Sequence, residues 1–156
     1  MQGVFLAAAE LTYLGFVVSL TARNAFGADL LVTDRCQHAW SVQVKTNKNT
    51  SANFWLLNSH AQELKSNSHI YVFVALKKNE RPSFLVVPNR VVAANVRKDA
   101  HGFYWFDRDT KWDHKGEGWE DCFGGAGCVP EAESPPPPPP KTEELGTRIQ
   151  HTTQHD

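Results

Sequence analysis

SVQVKT, residues 41–46, decides how this chain is read. Val42 and Val44 alternate with Ser41, Gln43 and Lys45, so a strand here buries one face and sets an amide beside an ammonium on the other. DLLVT, residues 29–33, is apolar and β-branched, and DRCQHA connects it to the stretch; together they predict an antiparallel hairpin. With its loop centred near Gln37, Asp29 faces Lys45, Leu31 faces Gln43 and Leu30 faces Val44, subject to a slip of two residues. Leu30, Val32, Val42 and Val44 then point into a core, and Asp29, Gln43 and Lys45 share the other face.

Working outward, GVFLAAAELTYL predicts a helix closed by Gly15, and FVVSLT a strand after it. ARNAFGA and TNKNTSAN are loops, WLLN is a short apolar element, and SHAQELKSN supplies a helical turn or two. HIYVFVAL, residues 69–76, is the strongest strand signal and too continuous for an exposed edge. After the turn KKNERPS, SFLVVP predicts a strand and NRVVAANVRK a helix with an Asn cap.

The chain has 156 residues, 41% hydrophobic and 11% aromatic, enough for one ordinary core. One domain over 1–123 is expected, followed by a Gly/Pro-rich acidic tail over 124–156 with too little apolar material to fold. The six prolines at 135–140 read as a spacer, with an SH3 or WW ligand as the second reading. Residues 1–130 carry 14 Lys+Arg against 12 Asp+Glu, whereas the remainder carries 2 against 5. Within the body, Lys77, Lys78, Arg81, Arg90, Arg97 and Lys98 stand against Glu80 alone, a run that suits a phosphate backbone or simply a solvated face.

The apolar stretch from Gly3 to Leu20 carries Glu10 in its middle, which opposes membrane insertion, so a cytoplasmic protein with no membrane partner is expected. Cys36, Cys122 and Cys128 fit no zinc spacing, even with His114 nearby, and reduced thiols are the default. Trp105, Trp112 and Trp119 recur every seven residues, but Gly116 and Gly118 argue against a heptad helix and for aromatic anchors over the core.

The helix bearing AAELTYLGF, the strand GADLLV and the strand VQVKT together resemble the PD-(D/E)XK nuclease superfamily from about Gly3 to Val96. The likeness is greatest to small members such as Holliday-junction resolvases, methyl-directed restriction nucleases and intron-encoded homing endonucleases. It implies an α/β, restriction-endonuclease-like core: a mixed central β-sheet flanked by helices, in the order α-β-β-β-(α)-β-β-α. It further implies a metal-dependent endodeoxyribonuclease with Asp29 as the metal-binding Asp, Gln43 at the second acidic position and Lys45 as the catalytic Lys. Val4 stands where the family's first-helix Gly-Glu pair has its acid, leaving Glu10 as that helix's acidic residue.

On that resemblance, the Asp29 carboxylate, the Gln43 amide and the Val44 carbonyl would offer hard oxygen ligands to Mg²⁺, with Mn²⁺ as a substitute. Lys45 would orient the attacking water and stabilise developing charge. Arg23, Lys77, Lys78 and Arg81 would hold DNA phosphates, and a domain this small would act as a homodimer to cut both strands. The alternative is a weakened or inactive member that binds nucleic acid or a protein through the same surface.

Overall fold

The computed structural model describes residues 1–22, 27–48, 53–63, 66–108 and 118–123. It opens with α1 (Gln2–Tyr13), whose Val4, Ala7 and Leu11 are buried. Gly15 closes this helix at φ +90°, a conformation that favours glycine. Its N–H donates to the Thr12 carbonyl and the Phe16 N–H to the Leu11 carbonyl, a Schellman cap. The glycine stop expected there is present.

Five strands build the main sheet: β1 (Val17–Leu20), β2 (Leu30–Thr33), β3 (Ala39–Asn47), β5 (His69–Ala75) and β6 (Ser83–Pro88), in the order β1-β2-β3-β5-β6. β3 and β5 run parallel and every other neighbouring pair antiparallel, so the sheet is mixed. HIYVFVA lies inside the sheet as β5, between β3 and β6, and is buried along nearly its whole length because both its faces are covered. Between the parallel strands the chain makes β4 (Phe54–Leu57) and α2 (His60–Glu63); α3 (Asn89–Asn95), β7 (Arg97–Lys98), β8 (Tyr104–Asp107) and α4 (Gly118–Cys122) follow β6. The fold is the expected restriction-endonuclease-like α/β core.

Added to that core, β4, β8 and β7 form a separate three-stranded sheet. WLLN thus enters a sheet of its own. The helix predicted to run to Lys98 ends at Asn95, since Val96 is already extended and Arg97 and Lys98 pair with Trp105 and Tyr104. Asn89 does not cap it: Pro88 holds the cap position, and buried Asn89 uses its side-chain oxygen to accept the Ser66 N–H at 3.3 Å.

Two apolar clusters sandwich the main sheet. On one face Val42, Val44, Ile70 and Val72 pack against Val4, Ala7 and Leu11 of α1, with Trp119 and Phe123 joining from the C-terminal side. On the other, Tyr71, Phe73, Leu85 and Val87 meet Trp55, Val92 and Phe106. Each large side chain removed from water there contributes about 1.5–3 kcal/mol before entropy is charged against it. Of the three recurring tryptophans, Trp119 is a core anchor as expected, Trp105 lies on β8, and Trp112 falls outside the described residues.

Gly3 fixes how closely α1 approaches the sheet. A Cβ at that position would fall on Thr46 Oγ1 of β3, so any larger residue forces Thr46 to move where helix and strand cross. Cys122 is a thiol directed at the Val86 carbonyl, and Cys36 is disulfide-bonded, which corrects the expectation of reduced thiols. Among the described residues no helix is long and apolar enough to cross a membrane.

Candidate active site

The β2–β3 hairpin forms where the sequence places it, with a register shifted by two residues. Leu30 pairs with Val42 and Leu31 with Ser41, a register that brings Asp29 level with Gln43, two residues before Lys45. The turn decides this. Asp34 accepts the His38 N–H at 2.9 Å and meets its Nδ1 at 2.8 Å, while Gln37 adopts φ +64°, pinning a loop centred on Cys36 instead of Gln37.

Strand alternation then sorts the side chains. Val42 and Val44 face α1, and Ser41, Gln43 and Lys45 face the opposite side, beside His69, Tyr71 and Phe73 of β5. Backbone directions alternate as well: the Ser41 N–H bonds the β5 side at Ser68, whereas the Val42 carbonyl accepts the Asp29 N–H at 2.8 Å on the β2 side. Val44 therefore turns its N–H and carbonyl toward Asp29. Its N–H donates to Asp29 Oδ2 at 2.7 Å, and no donor among the described residues bonds Oδ1.

Lys45 is half-buried beside Phe73 rather than fully exposed. Desolvation pushes its ammonium below the ordinary value of 10.5, and the nearby Asp29 carboxylate opposes that shift. The two groups thus influence one another despite the slipped register. Tyr71, opposite Gln43, is held neutral by burial, which raises its phenol to about 12.

Sequence reasoning missed His69, because only the parallel β3–β5 register brings it beside Ser41. Its Nδ1 lies 2.7 Å from the Ser41 hydroxyl, the ring is 3% exposed, and buried Nε2 has no hydrogen-bond partner. Burial lowers its pKa, and the Asp29 charge opposes the shift.

Other expected residues separate into three groups. Lys77, Lys78 and Arg81 are exposed on the β5–β6 turn, and because β3 and β5 are parallel, that turn lies at the same sheet end as Lys45. Lys77 pairs with Glu80 at 3.6 Å. Glu10 belongs to α1, which packs on the Val42/Val44 face, so the structure does not join it to Lys45; Val4, where the resemblance led one to expect an acid, is buried in that same core. Arg23 and the polyproline run lie outside the described residues.

The donor set available to a hard cation is one carboxylate, one amide and one carbonyl. Among the described residues no three His, Cys, Asp or Glu side chains converge. Asp29 Oδ1, the Val44 carbonyl and Gln43 fit an oxygen-preferring ion that draws further ligands from water or phosphate.

No protein-family model matches this sequence, and no curated protein matches it either. Among solved structures the chain is similar to Hjc, a Holliday junction resolvase from the archaeal hyperthermophile Archaeoglobus fulgidus, at 12% identity and a TM-score of 0.52. The match covers 81% of this chain and 97% of that one. At this identity the likeness establishes the shared fold.

Proposed function

We propose that the chain is a Mg²⁺-dependent DNA endonuclease. The observation carrying this reading is the Asp29–Val44 hydrogen bond, which holds a carboxylate against the β3 backbone at the residue before Lys45. Asp29, Gln43 and the Val44 carbonyl would hold the ion, which supplies charge stabilisation at the phosphate when bound. Half-buried Lys45 positions a water and donates to phosphate oxygen from a site where desolvation strengthens the interaction. Attack forms a bond from the water oxygen to phosphorus and breaks one bridging P–O bond; the water gives up a proton and the departing oxygen takes one from solvent, leaving a phosphomonoester and a hydroxyl. Lys77, Lys78 and Arg81, at the same sheet end, bind flanking phosphates.

A second reading, a binder without catalysis, is favoured by Val4 filling the core where the family places an acid. Nicking of supercoiled plasmid in Mg²⁺ against EDTA, with Lys45→Met as control, separates the two. Mg²⁺-dependent nicking lost in the variant supports the nuclease; DNA binding with no nicking in either protein supports the binder.

A further inference from the structure

The small sheet covers the second core with one face, and among the described residues nothing packs over the other. Trp55 and Phe106 point inward, so the alternate residues Phe54 and Leu56 of β4, Trp105 of β8 and Arg97 of β7 share the outer face. With Phe103 they line a groove of about 510 Å³. Leu56 is 61% exposed, Phe103 60% and Phe54 41%, an apolar concentration of the kind that marks interaction surfaces.

Three features identify what the groove accepts. Its walls are flat rings: Phe54 and Trp105 lie 6.5 Å apart, and the Arg97 guanidinium sits 5.6 Å over the Trp105 ring. Its acids are already engaged, Asp107 by Arg97 and Asp99 by the N–H groups of His101 and Phe103 at 2.9 and 2.8 Å. Its first strand is tied to the end of the strand that carries Lys45. Asn47, two residues beyond Lys45 on the same face of β3, donates from Nδ2 to the Phe54 carbonyl at 2.7 Å. An open sheet face bearing aromatic rings is how proteins stack splayed bases, in a sequence-tolerant manner.

We infer that Phe54, Phe103 and Trp105 form a stacking platform for an unpaired nucleobase next to the phosphate held at Lys45. The inference rests on the nuclease reading and narrows its substrate to DNA with unpaired bases beside the cleaved bond. Fluorescence anisotropy in EDTA, where nothing is cut, tests it with the full chain and three labelled probes: a paired duplex, the same duplex with a run of unpaired bases, and that construction with the unpaired bases replaced by abasic sugars. The parent should prefer unpaired bases over both other probes by roughly ten-fold, and Phe103→Ser and Trp105→Ala should each reduce that ratio toward one. Phe103 is exposed, so its variant folds even if the Trp105 change disturbs β8.

An unchanged ratio in the Phe103 variant overturns the platform, as does equal binding of the abasic probe. So does displacement of the unpaired probe by a synthetic peptide of residues 131–142, which would make the chain's own prolines the occupant. If the groove binds unpaired bases but the parent never nicks DNA in Mg²⁺, the nuclease reading falls instead and the base site remains.

Discussion

Asp29 continues the β2 ladder with its side chain: Oδ2 accepts the Val44 N–H at 2.7 Å, at the point where the backbone of β2 turns away toward Thr21. One carboxylate therefore closes a gap in the sheet and faces the candidate site. Structural and chemical roles of Asp29 separate by substitution.

Asp29→Ala leaves the Val44 N–H without its acceptor and should cost about 1–2 kcal/mol, whereas Asp29→Asn keeps an acceptor and should melt near the parent. Both should lose Mg²⁺-dependent nicking. Gln43→Glu adds a carboxylate to the sparse donor set and should tighten Mg²⁺ binding without DNA, read by calorimetric titration. An Asp29→Asn protein that binds the ion as the parent does would remove the metal from this hairpin.

Lys45→Met should abolish nicking and raise the melting temperature at neutral pH. Desolvation places the folded ammonium's pKa below 10.5, so the unfolded chain binds more protons between the folded value and 10.5. The parent's penalty is full below that window and fades as pH rises through it, so the melting-temperature gap should close under alkaline conditions. A variant less stable than the parent at neutral pH contradicts this.

Gly3→Ala drives a Cβ into Thr46 Oγ1 and should cost about 1–3 kcal/mol. Thr46→Ala removes the offending hydroxyl, so the double variant should unfold at a higher temperature than the two single effects predict when added. Strict additivity in thermal unfolding would show that helix and strand do not meet there.

His69 should make the protein acid-sensitive. Its folded pKa lies below 6.5 because of burial, so its contribution is present above 6.5 and lost as pH falls through the folded value. The Asp29 carboxylate opposes this shift and the Ser41 hydroxyl bonds the ring. Melting temperature measured between about pH 7 and pH 5 should fall less steeply in His69→Gln than in the parent; equal slopes would assign the acid response to other groups.

The sequence by itself determined the local elements and their inward faces. Alternation in SVQVKT, the unbroken run in HIYVFVAL and the glycine after LTYL follow from backbone geometry within a few residues, so the hairpin, the buried interior strand and the first helix were legible. Tertiary structure decided what meets what. The hairpin slipped by two because the Asp34–His38 bonds set the turn, and His69 joined Ser41 only through a parallel pairing across 27 intervening residues. The small sheet escaped notice for the same reason: β4, β7 and β8 are short, and WLLN, RK and YWFD carry little periodicity of their own. They are strands because they pair with one another over a shared core, and the pairing energy of distant segments is not written in either one alone.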